Sequence, residues 1–172
     1  MSQKTRVSTD KLYKFMNEHD FTAYVLSEYM GVSESIVRGC FRHDLNRLGK
    51  PLQFSGSNLA KLNEALPRMA ADLRGCVITF DDEHAFVNRS GKAYDLTVAS
   101  QVKTGMGRFF NMRSLTKRVL GWNAQKCAAR LASQNNGTYS HVSREDCDRL
   151  NDELLAVAGV LDNYEVYSAA QS

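Results

Sequence analysis

Sliding this chain along itself by 88 residues lays FSGSNLAKLNEALPRMAADL on VSREDCDRLNDELLAVAGVL. Six of the 20 positions are identical: Ser55/Ser143, Leu62/Leu150, Asn63/Asn151, Leu66/Leu154, Ala70/Ala158 and Leu73/Leu161. Ordinary composition gives roughly one identity at a fixed offset. The pairs Lys61/Arg149, Glu64/Asp152 and Met69/Val157 are conservative. At an offset of 90, YMGVSESIV falls on VLGWNAQKC and Met30-Gly31 on Leu120-Gly121. A shorter loop in the second copy absorbs the difference of two, because loops tolerate insertions. The pattern predicts a tandem duplication of one helical module.

The first copy sets out that module. Leu12, Phe15 and Met16 recur at helical spacing after Ser8 and Thr9, either of which can cap a helix. A second helix is expected from about Thr22 to Met30, with Val25, Leu26, Tyr29 and Met30 on one face, followed by Gly31 where the chain must turn with positive φ. Ser33 then caps a third helix whose Ile36, Val37, Cys40 and Phe41 form an apolar face, opposite Glu34, Ser35, Arg38, Gly39 and Arg42. After the loop NRLGKPLQFSGSN, Ser55 or Ser57 caps a fourth helix with Leu59, Leu62, Leu66, Met69, Ala70 and Leu73 as its buried stripe. Pro67 is expected to kink or break it, and CVITF reads as a strand. A helix of about nine residues, small, polar and basic outside and fixed by a glycine turn to a short helix, suits insertion into a major groove.

The order Met30-Gly31-Val32, five residues to Val37, then Cys40-Phe41 resembles the helix-turn-helix of phage-repressor-like regulators, the lambda repressor and Xre superfamily. Gly31, Val32, Val37 and Cys40 match that family's glycine and apolar positions. Ser27 stands at its small position, and Ala23 where a phosphate-contacting glutamine is frequent. The resemblance covers roughly residues 8 to 74, and the whole chain is similar to uncharacterised regulators of Bacteroides-type bacteria and their mobile elements. By matching position it implies that Ser33, Glu34, Ser35, Arg38 and Arg42 face bases or the adjacent backbone, with Arg38 suited to bidentate guanine recognition. His43, Arg47 and Lys50, on the loop that follows, are expected to hold phosphates.

The second copy departs from this pattern. Lys117 falls on the small position and Arg130 on the apolar place of Cys40. Either the register shifts by one residue to bury Leu131, or the helix angle differs. Its exposed candidates are Asn123, Gln125, Lys126 and Arg130: Asn and Gln read adenine edges, Lys and Arg reach guanine or phosphate. A degenerate copy kept for packing or self-association is the alternative.

Net charge is only +3, but no acidic residue lies between Asp95 and Glu145, where Lys103, Arg108, Arg113, Lys117, Arg118, Lys126, Arg130 and Arg144 all fall. Such a block is the footprint of a surface that meets phosphates, or a solvated helical face. Cys40, Cys76, Cys127 and Cys147 are far apart and read as buried apolar thiols. His19, His43, His84 and His141 form no metal motif, KTGMGRFF lacks a P-loop ending, and Asp81, Asp82 and Glu83 read as a solvated turn. No enzyme activity, metal or cofactor is expected. No apolar run approaches the roughly 20 residues of a membrane helix, and the polar start MSQKTRVSTD points to a cytoplasmic, nucleoid-associated protein.

The expected fold is mainly α: two tandem lambda-repressor-like modules, 1–76 and 101–172, joined by a β-prone connection, 77–100. There a Ser90-Gly91 turn between HAFV and KAYDL is expected to build a small sheet with CVITF and YEVY. The expected function is sequence-specific binding of double-stranded DNA as a transcriptional regulator, a repressor, with helix 33–43 in the major groove, a second module at 123–133, and a homodimer extending the site. The alternative is a protein-interaction or assembly module that keeps the fold without a DNA target.

Overall fold

The computed structural model describes residues 3–83, 85–131 and 142–168. Among these the protein is mainly helical, with eight α-helices and two two-stranded sheets. The chain divides into two compact units, Met1–Ala71 with Ala158–Ser172, and Asp72–Val157. The stretch 77–100 thus belongs to the second unit, and the chain from residue 158 onward to the first.

In the first unit β1 (Thr5–Ser8) runs straight into α1 (Thr9–Glu18), and Ser8 rather than Thr9 is the cap, its hydroxyl accepting from the Lys11 N–H at 3.1 Å. The next helix, α2 (Val25–Met30), starts three residues later than Thr22. Asp20, with φ of 65°, turns Phe21 into the core, and helical geometry resumes only beyond it. Gly31 takes the left-handed conformation, φ 68°, and the Val32 N–H closes on the Ser27 carbonyl at 3.2 Å. Ser33 caps α3 (Glu34–Arg42) through the Ile36 N–H at 3.4 Å.

The fourth helix, α4 (Gly56–Arg74), is capped by the Ser55 hydroxyl on the Asn58 N–H at 3.1 Å and runs through Pro67 unbroken. An interior proline costs roughly 3 kcal/mol. Leu62, Leu66, Met69 and Leu73 are fully buried, and at about 1.5–3 kcal/mol each their packing outweighs that cost. Contrary to the expected sheet, among the described residues the hairpin within 77–100 pairs with neither CVITF nor YEVY. YEVY is β4 (Tyr164–Tyr167) and pairs parallel with β1, Val7 opposite Val166, both buried.

In the second unit β2 (Phe86–Val87) and β3 (Ala93–Tyr94) form an antiparallel hairpin. Then follow α5 (Val98–Thr104), a 3₁₀ turn at Met106–Arg108, α6 (Met112–Leu120), α7 (Ala124–Arg130) and α8 (Arg144–Asn163), whose residues from Ala158 belong to the first unit. The buried Asp95 carboxylate fastens the hairpin to α5, accepting from the Asp81 and Thr97 N–H groups and the Thr97 hydroxyl, each at 2.8 Å. Ser143 caps the start of α8 on the Asp146 N–H, as Ser55 caps α4.

Two asparagines of the repeated pair fasten the long helices. The Asn63 side chain accepts from the Val166 N–H at 2.8 Å and donates to the Val166 carbonyl at 2.9 Å. Asn151 does the same to Ile78, at 2.7 and 2.9 Å. Both the asparagines and the residues they hold are 88 apart. Cys40, Cys127 and Cys147 are buried and free, the Cys147 thiol pushed up to about 12 chiefly by burial, with Asp146 and Asp148 adding to it. Cys76 departs from the expectation: it is only half-buried.

Candidate nucleic-acid interface

The α2–Gly31–α3 corner follows from its residues. The Ser27 hydroxyl is buried and bonds back to the Tyr24 carbonyl at 2.6 Å, so the corner needs a small side chain there. Val37, Cys40 and Phe41 face the core, and Phe41 stacks on Tyr13 with ring centroids 4.9 Å apart. The outer side then carries Ser33 and Ser35, both exposed, with Glu34 and Arg38 joined as an ion pair one helical turn apart. An exposed pair of this spacing is worth about 0.3–0.5 kcal/mol, so a base edge competes easily for the guanidinium. Ile36 lies among these polar groups and is 47% exposed.

Gly39, read as part of the polar face, is buried instead. A Cβ there would meet Leu52 Cδ1 at 3.0 Å, so the following loop lies against the helix at this point. Arg42 is exposed and its Nε donates to the Tyr13 hydroxyl at 3.4 Å, a bond that lowers the Tyr13 pKa. His43 ends α3 with φ of 55°. Its Nε2 lies 2.9 Å from Asp10 Oδ1 and its Nδ1 3.3 Å from the Leu52 carbonyl, so the ring ties α1 to the loop. The Asp10 carboxylate hydrogen-bonded to it raises the His43 pKa, and the Leu52 carbonyl adds to this.

Arg47 and Lys50 occupy an exposed turn. The Asn46 side chain holds it, accepting from the N–H groups of Leu48 and Lys50 at 2.8 and 3.0 Å, while Gly49, φ 74°, lets the chain fold back. Among the described residues neither cation has a carboxylate within ion-pair distance. Leu45 and Leu48 beside them are 69% and 82% exposed.

The second unit has a corner of the same kind. Gly121 takes φ of 71°, and Asn123 caps α7 on the Lys126 N–H at 2.7 Å. That bond occupies the Asn123 carboxamide oxygen. Gln125 is exposed. Lys126 and Arg130 both approach the buried Trp122, at 5.8 and 5.5 Å from the ring centroid, and Arg130 is half-buried there. The two alternatives for Arg130 are thereby resolved in part: Leu131 is half-buried at the end of α7, and the Arg130 guanidinium lies over the Trp122 ring. The small buried position is Thr116, not Lys117. Its hydroxyl bonds back to the Met112 carbonyl at 2.7 Å, while Lys117 is exposed. Residues 132 and 133 of the expected second reading segment lie outside the described residues, as do His84 and His141.

Arginines from the long helices brace both corners, Arg68 on the Tyr29 carbonyl and Arg149 on that of Val119, each two residues before the turn glycine. A groove lies at the junction of the first three helices of each unit. Tyr13, Thr22, Ala23, Val37, Arg38 and Arg42 are among its walls in the first, and Lys103, Asn111, Arg113, Cys127 and Ala128 in the second. The pairs Ala23/Arg113, Val37/Cys127 and Arg38/Ala128 are each 90 apart.

Of the basic block, Lys103, Arg108, Arg113, Lys117 and Lys126 are exposed, whereas Arg118 pairs with Glu153 at 2.7 Å and Arg144 with Asp82. Among the described residues no helix is long and apolar enough to cross a membrane, and no cluster of three potential metal ligands is present. No protein-family model, curated protein or solved structure matches this chain.

Proposed function

We propose that the protein is a sequence-specific double-stranded DNA-binding regulator, a repressor of the phage-repressor type, built by tandem duplication of one helix-turn-helix module. The observation that carries this reading is the α2–Gly31–α3 corner: a six-residue helix, a left-handed glycine and a capped nine-residue helix that exposes Ser33, Ser35 and Arg42 and holds Arg38 by a weak surface pair. The duplication is supported by the second left-handed glycine, capped helix and groove at an offset of 90, and by the two asparagine clamps at 88.

A second reading, a protein-interaction module, is favoured by Ile36, Leu45 and Leu48, apolar and exposed on and beside α3. Selection of random duplex DNA by the purified protein at about 150 mM salt, where screening beyond roughly 8 Å suppresses loose attraction, separates the two. An enriched bipartite motif supports two readers and a single compact half-site one. Absence of enrichment from a folded sample sinks the DNA reading and favours the interaction module.

A further inference from the structure

The pentapeptide Asn46-Arg47-Leu48-Gly49-Lys50 recurs as Asn88-Arg89-Ser90-Gly91-Lys92, 42 residues on and out of register with the longer repeat. The two segments fold alike. In the first, the Asn46 N–H donates to the Lys50 carbonyl at 2.8 Å and the Gly49 N–H to the Asn46 carbonyl at 3.0 Å. In the second, Asn88 to Lys92 is 2.9 Å and Gly91 to Asn88 is 3.0 Å. Asn88 Oδ1 accepts from the N–H groups of Ser90 and Lys92, both at 3.0 Å, as Asn46 Oδ1 does from Leu48 and Lys50. Gly49 and Gly91 take φ of 74° and 84°. This is a type I turn closed by a left-handed glycine, with an asparagine side chain fixing its interior N–H groups.

The design has a chemical consequence. Each turn spends its asparagine carboxamide oxygen on its own backbone, in the second turn with the Ser90 hydroxyl donating to the same oxygen at 2.7 Å, and projects an arginine and a lysine outward. Arg89 and Lys92 are exposed, and among the described residues no carboxylate lies within ion-pair distance of either. A turn whose backbone is already fixed loses little further entropy when its cations meet an anion.

We propose that the Asn88–Lys92 turn is a phosphate-binding finger of the same design as Asn46–Lys50, and that Arg89 and Lys92 neutralise sugar–phosphate backbone charges of duplex DNA. The inference rests on the DNA reading above and adds to it a contact outside either helical corner. The finger fixes position without reading bases.

The test measures binding of the full chain to a duplex of about 40 base pairs carrying the selected motif, across salt concentrations, for the wild type, Arg89→Ala/Lys92→Ala, Arg89→Lys/Lys92→Arg and Arg47→Ala/Lys50→Ala. Loss of two phosphate contacts lowers the steepness of log K against log salt by about 2. The expected result is that loss for both alanine pairs, equal on scrambled duplex, with the slope retained in the charge-preserving pair and unfolding curves unchanged. A wild-type slope in Arg89→Ala/Lys92→Ala, with Arg47→Ala/Lys50→Ala diminished, overturns the finger and leaves the DNA reading standing. A wild type that binds no duplex overturns both.

Discussion

Asn63 and Asn151 each present a primary amide to one residue of an extended segment and satisfy both its N–H and its carbonyl. Val166 and Ile78 are buried, so truncation strands two backbone groups away from water. Asn63→Ala and Asn151→Ala are each expected to cost about 2–3 kcal/mol in chemical denaturation; losses below about 0.5 kcal/mol would show that water replaces the amide. Arg38→Ala, by contrast, breaks only a surface pair and is expected to leave stability unchanged; on the proposed DNA reading it is expected to relax base preference at one position by about 1–3 kcal/mol. An unaltered selected motif would place the reading elsewhere on α3. The identity Asn63/Asn151 is visible in the sequence, but its partners are not, because Val166 is 103 residues from Asn63 and leaves no local pattern. Thr116 was hidden for a different reason. The Trp122 N–H reaches back six residues to the Thr116 carbonyl where Val32 reaches five to Ser27, so a fixed offset of 90 points one residue too far, at Lys117.

At the scale of elements, legibility follows the range of the cause. The third helix is readable because its cap, glycine and apolar spacing are all local. The β1–β4 pair is not, since TRVS acquires a strand's neighbours only when residues 164–167 arrive. Helix α4 continues through Pro67 because propensity is outweighed by packing that only the tertiary structure supplies. The His43–Asp10 bond, which joins the end of α3 to α1, makes the corner sensitive to pH. The folded-state pKa of His43 is raised above 6.5, so the pair's contribution is complete below that value and is lost as pH rises through the raised one. Against Asp10→Asn, the wild type's advantage in melting temperature is therefore expected to be largest near about pH 5 and to shrink by about pH 8. An advantage constant across that range would mean that the histidine's charge is not involved.

For the molecule as a whole, the first unit is assembled from both ends of the chain and the second from its middle. The segment after α4, with Ile78, is held in the second unit, and the segment after α8, with Val166, in the first. The N-terminal segment alone therefore lacks the strand that completes the first unit. A fragment of residues 1–90 is expected not to unfold cooperatively by itself, nor one of residues 91–172, whereas mixing them restores the helical circular dichroism and a sharp transition. A cooperative melt of 1–90 alone would contradict this dependence.

The placement of β4 also orders events during synthesis. A chain emerging from its N-terminus exposes α1–α3, the helices of the first corner, before the rest. That unit takes in β4, residues 164–167, whereas the second is built from residues 72–157. The unit begun first is thus finished last, and the α3 surface is set in its final frame only once residues 164–167 have been made.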